Sequence, residues 1–223
     1  TFKVVGGGDV LVVNGTLTLT AGQVVNGTVN ALGNVVLAST FGGGNTTLLI
    51  SGNAVRTFTM PAGAAVPVLT VNAPNVTVNT SGSGSITFQQ PVTWQSTAGV
   101  TNGAVNCNFN SPVTVNTNVT QGSGDLVYNS SYTQTAGTFT PSAGVLDFNS
   151  QFTLTGGVFN APSGVVTFAS DFTINGGTFN AGSGTVVFDT GASTVDVATT
   201  QSFNNLTFNT PGTFKVVGGG DVL

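Results

Sequence analysis

SYTQTAGTFTPSAGVLDFNS (131–150), QFTLTGGVFNAPSGVVTFAS (151–170) and DFTINGGTFNAGSGTVVFDT (171–190) are consecutive stretches of twenty residues that align without a gap. Their aromatic residues fall into columns. One column extends both ways as Phe88, Phe109, Tyr128, Phe148, Phe168, Phe188 and Phe208, with successive steps of 21, 19, 20, 20, 20 and 20 positions. Two positions before each stands Ile86, Cys107, Leu126, Leu146, Val166, Val186 or Leu206. Such alternation marks a strand with one buried face.

A second segment repeats the pattern, with Val92/Trp94, Val113/Val115, Tyr132/Gln134, Phe152/Leu154 and Phe172/Ile174 facing inward. Between them Thr93, Thr114, Thr133, Thr153 and Thr173 form an outward column. A third, shorter segment carries Phe139, Phe159 and Phe179, each preceded by a corner at Ala136-Gly137, Gly156-Gly157 or Gly176-Gly177. Ser142, Ser163 and Ser183, just before Gly144, Gly164 and Gly184, mark another corner.

Like segments recur in the same direction, so hairpins cannot join them all. The arrangement that fits is a coil that climbs about 4.8 Å per turn and hydrogen-bonds to the coil below. The spacing therefore predicts an all-β chain, a parallel β-solenoid of about 20 residues and three short strands per coil. The Phe column becomes an interior ladder, and corner asparagines such as Asn149 and Asn209 come within reach of bonding along the axis. A β-sandwich would also show turn residues every 8 to 12 positions, but it would not align the same residue types at one spacing over seven rows. In the first third, TLTLT around Leu17 and Leu19 and NVVLAS around Val35 and Leu37 fit the strand template with a varying coil length. The stretch 41–70, with Gly42-Gly43-Gly44 and Ala62 to Val68, fits it least well.

Composition narrows the chemistry. Across 223 residues there are three cations, Lys3, Arg56 and Lys215, and seven anions, all aspartate, with no His and no Glu. Charged residues are 4% of the chain and hydrophobic ones 39%, which is neither the signature of disorder nor that of an ordinary cytosolic domain. The low pI and the absence of basic clusters argue against nucleic acid, and no apolar run is long enough for a membrane span. The single cysteine, Cys107, allows no internal disulfide and reads as a core residue. No secretory leader pattern is visible, so targeting signals are expected elsewhere in a longer protein.

The motifs that could carry chemistry are weak. GGGD at Gly6–Asp9 and again at Gly218–Asp221 lacks the nine-residue recurrence of calcium-binding solenoids. No phosphate-cradling loop is present, and the scattered aspartates do not pair as the carboxylates of β-helical glycosidases and lyases must. No catalytic residue, metal ligand or cofactor site is predicted, and the chain is not expected to be an enzyme. The Thr column, with Thr-x-Thr at Thr133/Thr135 and Thr153/Thr155, offers an ice- or carbohydrate-binding surface, but Gln95, Asn116 and Asn175 interrupt it. Sequons at Asn14, Asn26, Asn45, Asn75, Asn118 and Asn205 admit surface glycans.

A longer period is also present. TFKVVGGGDVL occupies residues 1–11 and recurs at 213–223, an offset of 212. Eleven identical residues point to a 212-residue unit, 1–212, followed by the start of another at 213–223. Units in tandem would cap one another's open strand edges. The partner predicted for this chain is therefore itself, through end-to-end continuation or lateral association.

SFNNLTFNTPGTFKVVGGGDVL (202–223), VVNGTLTLTAG (12–22) and GNVVLAS (33–39) resemble the repeats of giant bacterial surface proteins, namely filamentous-haemagglutinin-like adhesins and autotransporter passenger domains. That resemblance implies secretion, a right-handed β-helix rod and a role in adhesion or surface-fibre architecture. The reading is a non-catalytic unit of an extracellular or cell-surface fibre. Its alternatives are the passive stalk of a secreted adhesin and a surface binder that uses the Thr column.

Overall fold

A computed structural model describes the chain except residues 5–7, 53, 62–63, 74–75, 82–84, 89, 96–99, 102–103, 105, 190–191, 210–212 and 218–223. At 76–81, 85–86, 100–101, 192–193, 213–214 and 217 it describes the backbone alone. Asn75, the second GGGD and the side chain of Ile86 thus lie outside what is described.

Strands follow one another with no helix among the described residues, and every strand pair is parallel. They stack into three walls. Wall 1 is an eleven-stranded sheet running from Val10–Val13 to Thr213–Val217. Wall 2 has nine strands, from Leu17–Leu19 to Thr178–Asn180, and wall 3 has seven, from Ser85–Phe88 to Asn205–Phe208. The chain visits the walls in rotation, so each strand bonds to the one a coil earlier and a coil later. This is the parallel β-solenoid that the column spacing predicts.

Why these residues form these strands is visible in wall 3. Cys107–Leu126–Leu146–Val166–Val186–Leu206 and Phe109–Tyr128–Phe148–Phe168–Phe188–Phe208 are in register, with Ile86 and Phe88 at the start. Phe88 to Phe188 are buried, as are Cys107 to Val186. Inward residues alternate with half-buried outward ones, so a one-residue slip would turn each core ring to solvent.

Coil length is not constant. On wall 1, Val10 pairs with Thr28, 18 positions on, whereas Leu69 pairs with Val92, 23 positions on. Where the phenylalanine columns are regular the step is 20, as in Phe152↔Phe172. A fourth row of twenty would set Ala192 beside Phe172, but the structure pairs Phe172 with Val195. The three extra residues lie between Phe188 and Val195. They are offset because wall 2 gains no strand between Val197 and Asn205, and the wall 3 step Val186↔Leu206 stays at 20. Phe203 packs against the rings of Phe179 and Phe188 at 6.0 and 6.5 Å and covers the wall 2 side there.

In the first third, wall 3 is thin. Phe2–Lys3 pairs with Val24–Val25, and single bridges join Gly22 to Phe41 and Ala65 to Thr87. The core continues regardless, since Phe41, Phe58 and Met60 are fully buried.

Candidate functional surfaces

The aromatic ladders fill the interior. Neighbouring rings of the Phe88–Phe208 column lie 4.7 to 5.8 Å apart, and most are near-parallel, as with Phe109–Tyr128 at 4.8 Å and 9°. Tyr132–Phe152–Phe172 and Phe139–Phe159–Phe179 stack likewise on walls 1 and 2. Rings from different walls meet edge to face, for example Phe148 with Phe152 at 5.1 Å and 76°. Both geometries suit the ring quadrupole. Phe208 differs from its column: it stacks on Phe188 at 5.7 Å but is 46% exposed, because Asn205–Phe208 is the edge strand of wall 3.

Polar ladders secure the corners. Asn129 Nδ2 donates to Asn110 Oδ1 at 2.8 Å, Asn149 Nδ2 to Asn129 Oδ1 at 2.9 Å, and Asn209 Nδ2 to Asp189 Oδ1 at 3.1 Å. Ala169 interrupts this file, and Asn180 donating to Asn160 repeats it at another corner. Three glutamines are buried, and Gln134 and Gln121 bridge to the backbone of a neighbouring coil. Gln134 Nε2 donates to the carbonyls of Gly137 and Val158, and its Oε1 accepts from Tyr132 Oη at 2.9 Å. Gln121 Nε2 donates to the carbonyls of Gly124 and Val145. Each satisfies groups whose burial unpaired would cost about 1–3 kcal/mol. The sequence marks Gln134 by a polar residue at an inward position; Gln121, at a corner, carries no such signal.

The outward threonines of wall 1 are in register. Thr93, Thr114, Thr133, Thr153 and Thr173 pair successively, and all are half-buried. Thr70 precedes them, hidden from a twenty-residue template by the longer step between Thr70 and Thr93, and Leu49 and Asp196 flank the file. The parallel file needed for a two-rank surface does not form. Thr135 and Thr155 turn their hydroxyls to the carbonyls of Val115 and Gln134 at 3.3 and 3.2 Å, and the register shifts beside Asn116.

Ionisable groups do not converge. Among the described residues no three of His, Cys, Asp and Glu come together. Cys107 is buried, and burial pushes its thiol up to about 12. A shallow groove of about 320 Å³ between corner loops is lined by Gly144, Val145, Gly164, Val165 and Thr167 with no ionisable group. The sequons at Asn14, Asn45, Asn118 and Asn205 are exposed, whereas Asn26 is half-buried and has a left-handed φ of 62°.

Asp147 is set into wall 3 between two uncharged neighbours, Val127 and Thr167 of the adjacent coils. Its Oδ1 is buried without a hydrogen-bond partner. Burial raises its carboxyl above the ordinary 3.8, hydrogen bonding from Asn149 opposes this, and the Asp189 carboxylate adds to it. The folded chain then holds this proton to higher pH than the unfolded chain does. Its contribution to stability is greatest below 3.8, falls as pH rises through the folded value and stays reduced above it. Asp147→Asn should therefore raise the thermal midpoint at pH 7, with the gain vanishing below pH 3.8. Melts of both proteins across pH 3–8 check this; equal midpoints at pH 7 would contradict it.

The remaining surfaces are the two open ends. At one, Phe2, Val10, Leu11 and Val12 are exposed beside the unpaired edge of Val10–Val13; at the other, Phe208 and Val216 are exposed beside the edges of Asn205–Phe208 and Thr213–Val217. No family model, curated protein or solved structure matches the chain.

Proposed function

We propose that this chain is a non-catalytic structural unit of a long extracellular or cell-surface fibre, built from tandem 212-residue units that continue one solenoid. The observation that carries the reading is the recurrence of TFKVVGGGDVL at an offset of 212 in a chain folded as a parallel β-solenoid. Open parallel edges next to exposed apolar side chains template further strands. A head-to-tail contact whose rotation does not close generates a filament rather than a ring.

The interior supports the same reading. Aromatic stacks, asparagine files and buried glutamines all act between one coil and the next, so stability is a sum over neighbours and extends with length. A passive stalk of an adhesin uses the same physics and differs in having its binding site on another domain. The Thr file supports surface binding less well, because the hydroxyls of Thr135 and Thr155 are committed to backbone carbonyls. Localisation outside the cell, self-association and absence of catalysis belong to this proposal. The experiment is isolation of filaments from the surface of the source cells and measurement of their axial repeat. Filaments that lack this sequence, or recovery of the chain only as a compact intracellular monomer, would overturn it.

A further inference from the structure

The two copies of TFKVV occupy different walls. In the first copy Phe2–Lys3 lies on the wall 3 side, paired with Val24–Val25, and Val10–Val13 lies on wall 1 beneath Thr28–Ala31. In the second copy Thr213–Val217 lies on wall 1, above Ala192–Val197. Identical residues in a continuous array must share one environment, so both arrangements cannot persist at an internal junction.

Chain length decides between them. The shortest and longest returns to wall 1 one coil later are Val10↔Thr28 and Leu69↔Val92, steps of 18 and 23 positions. From Val216 to Leu223, the counterpart of Leu11, is only seven. In a following unit the counterpart of Val10–Val13 therefore cannot form the wall 1 rung above Val216. Keeping the second TFKVV on wall 3 fails similarly, since Phe208 to Phe214 is a step of six and a wall 3 step such as Phe168↔Phe188 is one of 20. Passing from wall 1 to wall 2 is short: Val113 to Val119 takes six. From Val4 to Leu17 on wall 2 is 13 positions, so the counterpart of Val10–Val13 falls within a lengthened corner between the two walls.

We infer that at each internal junction TFKVV joins wall 1 as the rung above Ala192–Val197 of the preceding unit, and that VLVV leaves wall 1 for the passage that leads to Leu17–Leu19 on wall 2. The partner of each open end is thus a second copy of this chain, engaged through a re-registered first coil. Val4 then lies one coil below Val29, 25 positions on, one more than the 24 of Val76↔Val100.

The inference rests on the tandem reading, and one experiment separates the two. A chain of two successive units is compared with the single 223-residue chain by electron microscopy and by disulfide trapping. Stacked residues in adjacent coils lie about 4.8 Å apart, within disulfide reach, and the buried Cys107 thiol does not compete. In the single chain, Lys3→Cys with Val25→Cys and Thr194→Cys with Lys215→Cys should both cross-link, following their registers. In the two-unit chain, Cys at position 215 should cross-link to Thr194→Cys and not to Cys at the second unit's counterpart of Val25. Cross-linking to that counterpart, or to neither, overturns the inference while a doubled rod length keeps the tandem reading. A two-unit chain no longer than the single one overturns both.

Discussion

Phe168→Ala should lower the thermal midpoint by on the order of 10 °C. Phe168 is fully buried, stacks on Phe148 at 5.1 Å and meets Phe152 and Phe172 edge to face at 5.1 and 4.8 Å. Removing a buried ring costs about 3–5 kcal/mol, and each kcal/mol is worth about 2–4 °C in a domain of this size. Coils are coupled only to their neighbours, so hydrogen exchange should quicken around Phe148, Phe168 and Phe188 and not in the first third. Phe208→Ala, in the same column, should cost only about 1 kcal/mol, since that ring is half exposed. Equal losses for the two variants would show that the ladder is not the source of stability.

The second large effect is expected at a residue with no side chain. Gly137, Gly157 and Gly177 stack at one corner with φ of 75°, 78° and 72°. A Cβ on Gly157 would stand 2.2 Å from the carbonyl oxygen of Gly137 and 2.7 Å from the carbonyl carbon of Ala136, both backbone atoms that cannot swing aside. The left-handed φ alone disfavours Ala by about 1–2 kcal/mol, and relieving the contact requires the coils to part. Gly157→Ala should therefore lower the midpoint by at least about 4 °C. Gly164→Ala, one corner further on, meets nothing within 4 Å and should leave the midpoint unchanged. Comparison of the two melts checks the corner geometry, and equal midpoints would contradict it.

The same corner shows what sequence conveys and what it withholds. The column from Phe88 to Phe208 was legible because parallel stacking forces one residue type to recur at the coil length, and that length varies there by no more than one position either way. Before Ser85, Phe41 and Phe58 are as buried as any residue of that column. Their role was not legible. Steps as unequal as Val10↔Thr28 and Leu69↔Val92 break the alignment, and wall 3 is there made of a two-residue pair and single bridges. The exposure of Phe208 was not legible either. It depends on which strand is an edge, and pattern alone treats every rung alike. The outward Thr file could be read as far as its members; the turning of the Thr135 and Thr155 hydroxyls onto the backbone depends on three-dimensional register beside Asn116.

The proposed role of the chain as a fibre segment rests on continuity from one unit to the next. From Thr28–Ala31 to Thr213–Val217 wall 1 holds ten strands, so one 212-residue unit advances the solenoid by about 48 Å at about 4.8 Å per coil. Cryo-electron microscopy of native filaments bearing this sequence measures that directly. The account predicts a continuous rod with a layer spacing of about 4.8 Å and a superposed axial repeat of about 48 Å. Globular beads joined by linkers, or an axial repeat unrelated to the coil count, would contradict it.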